Sequence, residues 1–100
     1  MRGQVRTNSG SYTSTSWFTI SNARHVIEVA WQAASTSTST DGSLSLWLDG
    51  ALEQTRSGIA NGTYRLEEVR LGPSSGLTSN VSGTEYYDAF VSTRTSYIGP

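Results

Sequence analysis

One hundred residues suffice for one domain and no more, and a chain of this length buries roughly two-thirds of the surface its unfolded form exposes. Hydrophobic residues make up only 35% of it, while 17 Ser and 13 Thr make the surface polar, so the core is expected to be thin. The formal net charge is -1, there is no Lys and no Cys, and the seven Arg are scattered along the chain; this excludes a disulfide framework, a thiolate metal site and a basic run able to neutralise successive phosphates.

In chain order, the first predicted elements are short strands at Gln4–Thr7 and Trp17–Ile20, separated by the turn signal Asn8-Ser9-Gly10. From His25 to Ala34 the string HVIEVAWQAA follows the two-residue period of a strand. It sets Ile27, Val29, Trp31 and Ala33 on one face and Glu28 and Gln32 on the other. The Ser/Thr tract from Ser35 to Gly42 follows, read as a hairpin loop because sequential strands usually pair. Next, Ser43 to Asp49 places Leu44, Leu46 and Leu48 inward, with Trp47 outward. Asp49-Gly50 between two extended runs predicts a two-residue hairpin turn, so Ala51 to Arg56 should return antiparallel.

Beyond these, Arg65 to Leu71 changes phase across Glu67-Glu68, which reads as a bulge or bend before Val69. The last predicted strand, Glu85 to Ser92, carries Tyr87, Ala89 and Val91 on one face and Tyr86 and Phe90 on the other, as a strand covered on both sides would. No helical period appears. The fold class expected is all-β: one antiparallel, jelly-roll-like β-sandwich over residues 1–100, with about six or seven strands.

The strings HVIEVAWQAA, DGSLSLWLDG, EEVRLGPSSG and SGTEYYDAFVSTRTSYIGP resemble the C-terminal half of concanavalin A-like jelly-roll domains. The nearest likeness is to laminin-G-like modules of bacterial surface and secreted proteins. The resemblance runs from about Gly3 onward and is carried by strand and turn patterns, so it speaks to fold more than to activity. It implies an extracellular or cell-surface setting as part of an exported protein, although Met1-Arg2-Gly3 opens no secretory signal. It also implies that the sandwich is completed elsewhere, by a second copy or by a longer polypeptide on which the chain docks. No apolar run is long enough to cross a bilayer and the scattered Arg form no cluster for phosphates, so neither membrane insertion nor nucleic acid is expected.

His25 is the sole histidine and stands at the head of the best strand, where packing or a strand-end hydrogen bond explains it without catalysis. Jelly-roll glycosidases hold alternating acids on one strand. Here Glu67-Glu68 and Glu85 with Asp88 fall on opposite faces, so no enzyme is expected. Asp41 and Asp49 each precede a glycine, which turn chemistry explains more simply than calcium. With Asp88, read as a buried, hydrogen-bonded acid of the final strand, they are the only weak metal candidates, and no cofactor is expected. Aromatic faces are the better ligand candidates: Trp47, with Tyr12 and Tyr64, as sugar platforms, and Tyr86, Tyr87 and Phe90 as interface residues. The expected function is a non-catalytic structural or adhesive module of assembly or surface attachment. Carbohydrate binding is the alternative, and a glycoside hydrolase fragment the remote one.

Overall fold

The computed structural model describes residues 1–66, 68, 70, 72, 77–94 and 98. Among these residues there are two antiparallel sheets and no helix. The smaller sheet pairs β1 (Gln4–Arg6) with β2 (Tyr12–Ser14), and the larger orders β3 (Ile27–Gln32), β4 (Gly42–Leu48) and β5 (Ala51–Ile59) side by side. The alternating segments at the centre of the chain form these strands for the reason their pattern gives. Ile27, Val29 and Trp31 stand opposite Leu48, Leu46 and Leu44, so one face of the sheet is apolar along its length.

The Asp49-Gly50 turn has both central residues at positive φ, 52° and 82°, as a two-residue turn matched to strand twist requires. Beyond it Leu48 pairs with Ala51 and Trp47 with Leu52, but Leu46 pairs with Gln54. A bulge therefore displaces Glu53 from the partner the simple alternation assigns to it.

The core is small. Leu44, Ile59 and Val5 meet with Trp31 packed against them, so β1 supplies one wall and the larger sheet the other. Asn8, in the β1–β2 turn, holds the two sheets in place. Its N–H donates to the Ala60 carbonyl, its side-chain amide donates to the Ser37 carbonyl, and its Oδ1 accepts from both the N–H and the hydroxyl of Thr63. At the other end of the hairpin, Ser16 N–H donates to Gln54 Oε1 on β5.

A second asparagine lies deeper. Asn61 follows β5 and is fully buried. Its Oδ1 accepts the Ala34 N–H at 2.7 Å and its Nδ2 donates to the Gln32 carbonyl at 3.1 Å. The carboxamide thus takes the place of a peptide group beside the end of β3, continuing the ladder by a side chain where no further strand residue is available.

Five strands are formed by the described residues, fewer than the six or seven the sequence suggested. Trp17–Ile20 is not a strand: a backbone bond from Phe18 N–H to the Met1 carbonyl extends the β1–β2 ladder there, but no strand forms. Glu85–Ser92 is not one either. No described strand lies alongside to take its N–H and C=O groups, and Ala89 adopts φ 53°, which breaks an extended run. The predicted bend at Glu67-Glu68 and the following Val69 and Leu71 lie largely outside the described residues. Among those described, no helix is long and apolar enough to cross a membrane.

Candidate functional site

Two of the three aromatics proposed as ligand platforms come together around one arginine. Arg6 pairs across the hairpin with Tyr12, which is 60% exposed, and its guanidinium lies over the Tyr64 ring, 5.5 Å from the centroid. Val5 points the other way into the core, so alternation along β1 puts Gln4 and Arg6 on the outer face. Gln4 pairs with Ser14, and its Nε2 donates to the Ser14 hydroxyl at 3.1 Å. Further along, the Arg2 guanidinium lies 4.7 Å from the centre of the Trp17 ring, and Trp17 is 71% exposed. Sequence reasoning missed Trp17 and both arginines. The available signal was the alternation Arg2, Gln4, Arg6, which places three long polar side chains on one side of an extended segment.

Trp47 is elsewhere. It sits on the outer face of β4 between Glu28 of β3 and Leu52 of β5, and it is half-buried. Tyr86, Tyr87 and Phe90 are exposed in irregular chain, with Tyr86 at 92%. The Tyr87 hydroxyl donates to Glu85 Oε2, which holds the phenol proton and raises its pKa.

The acids do not gather. Asp41 and Asp49 flank opposite ends of β4, and Asp88 is exposed, accepting the Ala89 N–H at 2.7 Å, not buried in a final strand as the sequence suggested. Asp41 Oδ1 accepts the Ser35 N–H at 2.8 Å across the Ser/Thr loop, and that hydrogen bond lowers its pKa. Among the described residues no three His, Cys, Asp or Glu side chains cluster as metal ligands would.

His25 joins a short relay. Its Nδ1 lies 2.8 Å from Asp49 Oδ2 and its Nε2 lies 2.9 Å from the Ser21 hydroxyl. The other oxygen of Asp49 accepts the Val26 N–H at 2.8 Å, while the Asp49 N–H donates to the Val26 carbonyl, also at 2.8 Å. Asp49 therefore fixes the β4–β5 turn against the start of β3, and His25 braces the carboxylate from the side. Ser21 stands four residues before His25, and no sequence motif connects it with Asp49.

The Val26 hydrogen bond first, and the His25 contact second, hold the Asp49 carboxyl below its ordinary pKa of 3.8. A group with a depressed folded-state pKa stabilises the fold above its unfolded value, and the contribution is lost as the pH falls through the folded value. Asp49→Asn keeps a residue suited to the turn and removes the charge. The gap in thermal midpoint between the native chain and this variant is expected to be flat above about pH 5 and to close below the ordinary carboxylate range. A gap that stays constant down to pH 2 would show that the carboxylate does no clamping.

Set against protein-family models, curated proteins and solved structures, the chain matches none of them.

Proposed function

We propose that this chain is a non-catalytic structural and adhesive β-module that works by assembling with a second copy of itself, in the setting of an exported or surface protein. The observation that carries this reading is the uneven cover on the larger sheet. Leu44 and Leu46 are almost completely buried, yet Ile27 and Val29 on the same face are 50% and 55% exposed. The β1–β2 hairpin shields the β4–β5 side and the Trp31 end of β3, and leaves Ile27 and Val29 uncovered.

Among the described strands β3 also stands at the edge of its sheet, paired on one side by β4. A self-complementary strand edge beside an apolar strip suits a two-fold interface, in which each copy supplies the layer the other lacks. The exposed Tyr86, Tyr87 and Phe90 add apolar surface that association would cover. Each aliphatic or aromatic side chain fully removed from water contributes about 1.5–3 kcal/mol, so a handful outweighs a moderate association cost.

The likeness of the LWLDG and VRLG strings to laminin-G-like modules supports the surface setting, and the Ser21–His25–Asp49 relay is assigned to clamping the turn. Sedimentation velocity at micromolar concentration tests the assembly. The expected result is a dimer or larger species that Val29→Glu converts to a single folded chain. A native chain that sediments as a folded 10.8 kDa monomer would remove the proposal.

A further inference from the structure

We propose that the outer face of the β1–β2 hairpin binds a short acidic oligosaccharide, a chain of uronate sugars, through Arg2 and Arg6 and the aromatic rings beside them. The face lies on the side of β1 opposite Val5, so the proposal does not depend on the assembly reading.

Its first support is the state of the two cations. Each guanidinium rests over an aromatic ring, Arg2 on Trp17 at 4.7 Å and Arg6 on Tyr64 at 5.5 Å, and among the described residues neither forms an ion pair with a carboxylate. A ring beneath a guanidinium holds its plane and leaves the N–H edge directed outward, the geometry that grips a carboxylate with two parallel hydrogen bonds. A surface built only for solubility would satisfy such charges with Asp or Glu neighbours. Here Arg6 faces Tyr12 across the hairpin, and Gln4, between the two arginines, faces Ser14.

Spacing is the second support. Arg2 and Arg6 are four residues apart in extended chain, a span of about 13 Å. Between them lie the Gln4 amide and the Ser14 hydroxyl, already hydrogen-bonded to each other and exposed, which suits ring hydroxyls. Trp17 at one end and Tyr12 at the other offer exposed faces on which sugar rings stack. Two anion sites separated by a polar strip and flanked by flat apolar faces match a polymer with regularly repeated carboxylates. A neutral glycan would leave both guanidinium groups unused, and a nucleic acid, held chiefly through a long run of phosphates, would find only two cations on this face.

Isothermal titration calorimetry at 0.15 M salt tests this with three probes: hexagalacturonate, the neutral cellohexaose, and a twelve-residue oligothymidylate. Hexagalacturonate is expected to bind at least tenfold more tightly than either of the others. The Arg2→Gln, Arg6→Gln double variant should lose at least tenfold in that affinity, while Trp17→Phe retains most of it and Trp17→Ala does not. These side chains are exposed, so the variants should keep the native circular dichroism and thermal midpoint, which separates loss of binding from loss of fold. The proposal fails if hexagalacturonate does not bind, if cellohexaose or oligothymidylate binds as well, or if the folded double variant binds unchanged. None of these outcomes alters the sedimentation result.

Discussion

Asn61→Ala is expected to destabilise the chain by about 2–4 kcal/mol, more than any surface substitution, because it leaves the buried Ala34 N–H without its acceptor and takes the donor from the part-buried Gln32 carbonyl. The Ala34 N–H and the Gln32 carbonyl both depend on the Asn61 carboxamide, and Asn61 is fully buried. Each unsatisfied buried group costs about 1–3 kcal/mol, and alanine leaves a void besides. A chain of this size holds roughly 5–15 kcal/mol in all, so the thermal midpoint should fall by roughly 10–25 °C. Asn61→Asp should be nearly as harmful, since it keeps the acceptor for Ala34 but places an acid where Gln32 needs a donor. Urea titration monitored by tryptophan fluorescence reads both. A loss below about 0.5 kcal/mol in Asn61→Ala would mean that the asparagine does not tie β3 to the loop after β5.

Gly42→Ala is the companion with a similar effect and a different cause. A methyl group at Gly42 would overlap Asn61 Oδ1 and stand 2.7 Å from the Ile59 carbonyl oxygen. Neither atom moves freely, since Ile59 pairs with Gly42 in the ladder and Asn61 is held by its two hydrogen bonds. Overpacking of this kind costs about 1–3 kcal/mol. Because the closest part of the clash is with Asn61 itself, the two substitutions should not add: Gly42→Ala is expected to cost about 1 kcal/mol less when Asn61 is already alanine. Full additivity in that double-mutant cycle would place the two residues out of contact.

The centre of the fold was legible because its signals are local. Alternation from Ile27 to Gln32, the Leu44, Leu46 and Leu48 row, and Asp49-Gly50 each act on neighbouring residues, and together they determine strands, faces and turn. What alternation could not show is the bulge that moves Gln54 opposite Leu46, since a bulge depends on how the whole strand twists against its partner. Asp41-Gly42 looked like a second turn pair, yet Gly42 opens β4 and is small for the sake of Asn61, which lies 19 positions away. The Glu85–Ser92 pattern failed for the opposite reason: a good strand sequence still needs a neighbour, and the described residues give it none. Of the candidate site, Tyr12 and Tyr64 were named for their exposed rings alone. That they share Arg6 follows from the hairpin register and from the loop after β5, neither of which is written in the spacing of 52 residues between them.

Asn61-Gly62-Thr63 is also an acceptor sequence for N-linked glycosylation, as is Asn80-Val81-Ser82. Transfer of a glycan to Asn61 would consume the side-chain nitrogen that donates to Gln32 and force a bulky polar group into a space that excludes even water-sized exposure. Thr63 is engaged as well, through Asn8. Asn80, in an exposed turn closed by Val81 N–H on the Thr78 carbonyl, can carry the same modification without disturbing any strand. A chain made in a glycosylating secretory pathway therefore faces a competition at Asn61 between sugar transfer and folding, and only the copies that escape transfer there can close this sheet.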